Sequence, residues 1–120
     1  MAHRSAPQVP VADVLDADIQ QVYSHAVELH QQGNHQEAAR LYQMILANKP
    51  DHADSLHYLG VLLYENGDSR TACELINKAI GINSAHAIFH YNLATIYKSD
   101  GQLTLAIKHY KKAVKLQPDH

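Results

Sequence analysis

Residues 52–85 read HADSLHYLGVLLYENGDSRTACELINKAIGINSA, and this stretch of 34 residues predicts a pair of helices joined by a tight turn. Apolar residues follow a helical spacing on both sides of Gly67, at Leu56, Leu59 and Leu63 before it and at Ala72, Leu75, Ile76 and Ala79 after it. We expect Gly67 to end the first helix, because the left-handed conformation of a helix C-terminus costs least at glycine.

The same pattern occurs three times along the chain. Gly33, Gly67 and Gly101 lie 34 residues apart. Small residues recur with them at Ala26, Gly60 and Ala94 and at Ala38, Ala72 and Ala106, and bulky ones at Tyr42, Ile76 and Tyr110. Small side chains at a helix crossing let two backbones approach to the close end of the usual range of about 8–10 Å. Since one helix pair cannot bury its own apolar face, the copies are expected to stack.

In these columns, and in Pro50 and Pro118 near the ends of copies one and three, the chain resembles tetratricopeptide repeat proteins over residues 18–120. The resemblance implies an all-α fold, a right-handed superhelical solenoid of three helix-turn-helix repeats. We place repeat 1 at 18–51, repeat 2 at 52–85 and repeat 3 at 86–120. The segment 1–17 is expected to be an N-terminal tail that is partly disordered.

The two ends of the array differ in polarity. The first helix of repeat 1 has polar residues where later repeats would contact their predecessor, at Gln21, His25 and Glu28. This polarity predicts that repeat 1 begins the array, with Val11, Val14 and Leu15 folded over it. On the last helix, three aliphatic residues occupy the positions that would meet a further repeat, at Ile107, Val114 and Leu116. They predict either a chain cut from a longer array or self-association through this face.

In the tetratricopeptide family, the first helix of every pair lines a concave side that holds peptide segments of partner proteins. The resemblance therefore implies a non-catalytic interaction scaffold whose groove carries Tyr23, Val27, His30, Asp54, His57, Val61, Tyr64, Tyr91, Asn92, Thr95 and Lys98. Tyrosine is enriched in such surfaces because it offers apolar area and a hydroxyl at low entropic cost. The alternative is that these side chains pack between repeats. The family's clamp for a C-terminal carboxylate is disfavoured, since only Asn92 matches its polar residues.

A narrower resemblance concerns residues 50–61 together with His90 and 92–94. They look like the leading repeats of bacterial multi-repeat proteins, some of which carry a C-terminal glycosyltransferase of the O-linked N-acetylglucosamine transferase type. That group lines its groove with asparagines, of which this chain reproduces only Asn92, while Ser24 and Tyr58 depart from the pattern. The alternative function is therefore a substrate-recognition fragment of a larger bacterial enzyme.

Composition argues against several partners and locations. The formal net charge of −2 argues against nucleic acid as a partner. The lysines of the last helix, Lys108, Lys111, Lys112 and Lys115, are expected to form a solvated face. No apolar run approaches the roughly 20 residues of a membrane span, so no membrane partner is expected and a cytoplasmic location is the default.

Neither catalysis nor a bound metal is predicted. The chain lacks a phosphate-binding glycine loop and an HExxH motif, so we expect no enzymatic activity and no cofactor. Among ten histidines, the pair at a chelating i, i+4 spacing is His86 and His90, with no evident third ligand, and we predict no metal site. Cys73 aligns with Ala39 and Ile107, which predicts a small buried apolar residue.

Overall fold

The computed structural model describes residues 16–117, with side chains from Asp18 onward. It contains six α-helices and, within those residues, no strand: α1 (Asp16–Gln31), α2 (His35–Asn48), α3 (Ala53–Glu65), α4 (Ser69–Ile82), α5 (Ala87–Ser99) and α6 (Leu103–Leu116). The helices pack in three consecutive pairs into an elongated body of 60 × 26 × 22 Å. The all-α repeat fold is confirmed. Most of the predicted tail, together with Val11, Val14 and Leu15, lies outside the described residues.

The turn inside each pair is built on its glycine. Gly67 has a φ of 95°, its N–H donates to the Tyr64 carbonyl at 2.9 Å, and the N–H of Asp68 donates to the Leu63 carbonyl at 2.8 Å. This pair of hydrogen bonds is the Schellman motif, which satisfies the last carbonyls of a helix. Gly33 and Gly101 repeat the conformation, with φ values of 83° and 79°. The prediction that glycine ends each first helix is confirmed.

The small residues allow the two helices of a pair to come close. Ala26, Ala38, Ala72 and Ala94 have no exposed surface, and Ala106 is also buried. At Gly60, an added Cβ would lie 2.8 Å from Cγ1 of Ile76 and 3.1 Å from the Ala72 carbonyl oxygen. A larger residue there would have to push α3 and α4 apart.

Neighbouring pairs stack through two apolar cores. In the first core, Leu59 and Leu62 of α3 pack against buried residues of α1 and α2; in the second, Phe89, Leu93 and Ile96 of α5 pack against α3 and α4. The equivalent residues of α1, which are Gln21, His25 and Glu28, are exposed. The predicted register of the contact face is thus confirmed in both junctions.

The two junctions differ in which helix carries the large side chain. Tyr42 and Ser55, both fully buried, occupy the positions that Ile76 and Phe89 occupy one repeat later. The large side chain is therefore on the second helix of the preceding repeat in one junction and on the first helix of the following repeat in the other. The hydroxyl oxygens of Tyr42 and Ser55 have no hydrogen-bond partner among the described residues, so the first junction also buries two unsatisfied polar atoms.

Candidate functional site

The groove, defined as the eleven residues predicted above, lies on the first helices α1, α3 and α5. A repeated contact joins these helices, because a residue of one repeat meets the residue 35 positions later in the next. The rings of Tyr23 and Tyr58 are 6.2 Å apart between centroids. The Asn92 amide donates to Nε2 of His57 at 2.7 Å, and the Tyr64 hydroxyl donates to Oγ of Ser99 at 2.7 Å. The first helices therefore form one continuous surface.

A cavity of about 200 Å³ lies in the middle of this surface, between α3 and α5. It is lined by Val61, Tyr64, Glu65, Asn92, Thr95 and Ile96, four of which are predicted groove residues. Internal hydrogen bonds fix its polar wall: besides the contacts of Asn92 and Tyr64, the Thr95 hydroxyl donates to the Tyr91 carbonyl at 3.1 Å. The volume is below the roughly 300–1,000 Å³ of small-molecule pockets and suits a single side chain of a peptide.

A second cavity, of about 240 Å³, lies between α5 and α6. Its walls are mostly apolar and consist of Ala87, Ile88, Tyr91, Tyr110, Ala113, Val114 and Gln117. Tyr91 is 45% exposed, and its ring packs against that of Tyr110 with centroids 5.6 Å apart. In repeat 2, the residues at the equivalent positions pack around Phe89, which belongs to repeat 3. The second cavity therefore has the form of a socket for a large apolar side chain.

His57 is a correction to the predicted groove. Its side chain is only 1% exposed, beneath Phe89 at 4.8 Å and Tyr58 at 4.6 Å between ring centroids. Burial, with smaller contributions from His86 and His30, lowers the pKa of His57 to about 4. His57 therefore fits the alternative that groove side chains pack between repeats, because Phe89 and Asn92 of the next repeat cover it. The helical spacing of one repeat gives no signal of that contact.

The N-terminal part of the groove is largely occupied by its own packing. Tyr23 is half-buried, with ring centroids 5.3 Å from His52 and 6.3 Å from Tyr42. Burial, followed by the nearby Asp54 carboxylate, raises the pKa of the Tyr23 hydroxyl, which stays neutral. Val27, His30 and Asp54 are also half-buried, whereas Tyr91 and Lys98 are exposed. The more open part of the surface lies toward α5.

The face predicted to self-associate is exposed on α6. Ile107 is 53% exposed, Val114 61% and Leu116 37%, and Leu103 adds a fourth large apolar side chain at 59%. The four lysines of this helix are exposed as well. Self-association through this face stays a prediction. Cys73 is half-buried against the second core, and burial raises the pKa of its thiol.

The histidines are grouped differently from the predicted pair. His90 is buried, and its Nε2 donates to the Ser84 carbonyl at 2.9 Å, whereas Nε2 of His86 lies 3.7 Å from the Asp54 carboxylate. The fold instead brings His30, His35 and Glu65 together, with one potential ligand atom of each within 4.8 Å of the others. This cluster was not predictable from the pattern of a single repeat, because it joins residues of two repeats. Between residues 16 and 117, no helix combines the length and apolarity that crossing a membrane requires.

Comparisons with known proteins agree with the repeat fold. Two models of the tetratricopeptide repeat match the chain, one over residues 23–87 and the other over residues 87–120. An O-GlcNAc transferase variant of Thermobaculum terrenum superposes with a TM-score of 0.85 and 30% identity, covering 94% of this chain and 21% of that one. The probable UDP-N-acetylglucosamine peptide N-acetylglucosaminyltransferase SPINDLY of Solanum lycopersicum is 36% identical over 84 residues, which cover 70% of this chain and 9% of SPINDLY.

A third relative shares the fold alone. The type III secretion chaperone SycD of Yersinia enterocolitica, solved in complex with a peptide of the translocator YopD, superposes with a TM-score of 0.80 at 18% identity, covering 88% of this chain and 80% of SycD. The chain spans between 9% and 25% of the length of the curated relatives it matches. Because one family model alone matches more than half of the residues, the chain belongs to the tetratricopeptide repeat family.

Proposed function

We propose that this chain is a non-catalytic protein-interaction scaffold that holds a peptide segment of a partner protein on the groove. The observation that carries the proposal is the middle cavity, where Val61, Tyr64, Asn92 and Thr95 surround a space of about 200 Å³. The peptide held by SycD, which has the same fold, supports this use of the repeats. A bacterial origin and a cytoplasmic location are part of the same proposal.

The cavities favour a peptide with two apolar anchors. The middle cavity has pre-positioned polar atoms beside an apolar floor, and the second cavity exposes the rings of Tyr91 and Tyr110. Anchors that fill pockets contribute most of the binding energy of an interface, while its rim excludes water. Polar wall groups already held by internal hydrogen bonds need little reordering when a peptide binds.

The test is a peptide selection against the folded chain, followed by affinity measurements on two variants. Thr95→Arg should fill the middle cavity and weaken the selected peptides by about 10-fold or more, since an anchor contributes at least about 1.4 kcal/mol. Ala47→Arg places the same side chain on an exposed position of α2, away from the groove, and should leave the affinity unchanged. Equal affinities for both variants, with unchanged circular dichroism, would contradict binding at this cavity.

A second candidate is a substrate-recognition segment of a larger enzyme of the O-GlcNAc transferase type. It is favoured by the 30% identity with the Thermobaculum terrenum enzyme over 94% of this chain. Asn92, which matches the asparagines of that group, lines the middle cavity while its amide is engaged by His57. Reading the gene beyond the codon for residue 120 tests the idea: a glycosyltransferase domain is the expected finding, and an immediate stop codon would refute it.

A further inference from the structure

His30, His35 and Glu65 meet where repeats 1 and 2 join. His30 lies in the last turn of α1, His35 begins α2, and Glu65 ends α3. Oε1 of Glu65 is 3.0 Å from Nε2 of His30 and 3.8 Å from Nε2 of His35. The two imidazole rings meet edge to face, with centroids 5.3 Å apart. Two nitrogen ligands and one oxygen ligand thus converge from three helix ends.

The stacking of repeats does not require this chemistry. At the next junction, the positions of His30 and Glu65 are taken by Tyr64 and Ser99, which make one hydroxyl–hydroxyl hydrogen bond of 2.7 Å. The position of His35 is taken by Ser69. Neutral side chains therefore join the same two helix ends without a carboxylate or an imidazole. The cluster of metal-binding side chains is specific to the first junction.

The three side chains match the ligand set of zinc. Zinc takes imidazole nitrogen and carboxylate oxygen at about 2.0–2.2 Å, commonly with three protein ligands and one water. Tetrahedral bonds of that length place ligand atoms roughly 3.3 Å apart, and the observed separations of 3.0 and 3.8 Å lie on either side of this value. Magnesium and calcium prefer sites made of oxygen alone, which this cluster is not.

One ring of the cluster is already held in place. The side chain of His30 is 13% exposed, and its ring meets that of Tyr58 edge to face with centroids 6.1 Å apart. His35 and Glu65 are 33% and 41% exposed, so they can rotate by the small distance that coordination requires. We propose that His30, His35 and Glu65 bind a divalent transition metal ion of the zinc class across the junction between repeats 1 and 2.

The test uses the full chain and zinc chloride at neutral pH. Isothermal titration calorimetry should give one zinc per chain for the native protein. His35→Gln and Glu65→Gln should each weaken zinc binding by at least about 10–100-fold, because even the loss of a residue that only hydrogen-bonds to a metal ligand has an effect of this size. His86→Gln is the matched control and should bind zinc as the native chain does. Ten histidines make this control necessary, because exposed imidazoles bind zinc weakly on their own.

Two further measurements do not depend on the variants. Zinc at 100 times its dissociation constant should raise the melting temperature of the native chain by roughly 10 °C, since binding to the folded state alone stabilises it. In NMR spectra, the imidazole nitrogens of His30 and His35 should shift on titration while those of His86 stay unchanged. Absence of binding to the native chain, binding by His35→Gln or Glu65→Gln that is as tight as native binding, or loss of binding in His86→Gln would each overturn the site.

Discussion

Replacing Phe89 by alanine is expected to lower the free energy of unfolding by about 3–5 kcal/mol, the usual cost of truncating a fully buried phenylalanine. The Phe89 ring has no exposed surface and lies 4.4 Å from the ring of His86 and 4.8 Å from that of His57 between centroids. It also packs in the core shared by α3, α4 and α5. Urea unfolding followed by circular dichroism measures the loss, which is a large share of the stability of a small domain.

Tyr91→Ala is the control for this substitution, because Tyr91 is on the same helix but 45% exposed. It should cost less than about 1 kcal/mol, as substitutions at exposed positions usually do. An equal loss in the two variants would contradict the role of Phe89 as the residue that joins repeats 2 and 3.

The different placement of the large side chain in the two junctions allows a rescue experiment. Tyr42 and Ser55 fill the first junction where Ile76 and Phe89 fill the second. Phe89→Ser combined with Ile76→Tyr copies the first arrangement into the second, so it should recover part of the stability lost by Phe89→Ser alone. Additive losses would show that the two junctions differ in more than these side chains.

Several features were predictable because each depends on one residue and its helical position. Gly67 was expected in the left-handed conformation and has a φ of 95°. Ala38 and Ala72 were expected at helix crossings and are fully buried. Gln21, His25 and Glu28 were expected on the outer face of repeat 1 and are exposed. In all these cases, the chain's own periodicity fixes which side of the helix points inward.

The features that were missed depend on how far one repeat is displaced against the next. The contact between a residue and the one 35 positions later covers His57 with Asn92 and places His30 beside Glu65. A helical period within one repeat carries no information about that offset. The different side-chain sizes of Tyr42 and Ser55 in one junction and of Ile76 and Phe89 in the other were missed for the same reason. A change of size at one position is explained only when the residue that packs against it is known.

The burial of His57 predicts that the fold loses stability in mild acid. In the folded chain, burial, with smaller contributions from His86 and His30, holds the pKa of His57 at about 4, below the value of about 6.5 for an unfolded histidine. The unfolded chain therefore binds the proton first, and stability falls as the pH drops through the window between about 6.5 and about 4. Burial also lowers the pKa values of His52 and His109, which act in the same direction.

Quantitatively, the shift of His57 should remove about 2 kcal/mol of unfolding free energy at pH 5 relative to pH 7.5. Urea unfolding at the two pH values measures this change in the native chain and in His57→Gln, whose amide oxygen can still accept the hydrogen bond from Asn92. The variant should keep only the smaller pH dependence due to the other histidines and the carboxylates. If the native chain and the variant lose the same free energy between pH 7.5 and pH 5, His57 is not the buried neutral group that the geometry describes, since no other part of the junction differs between them.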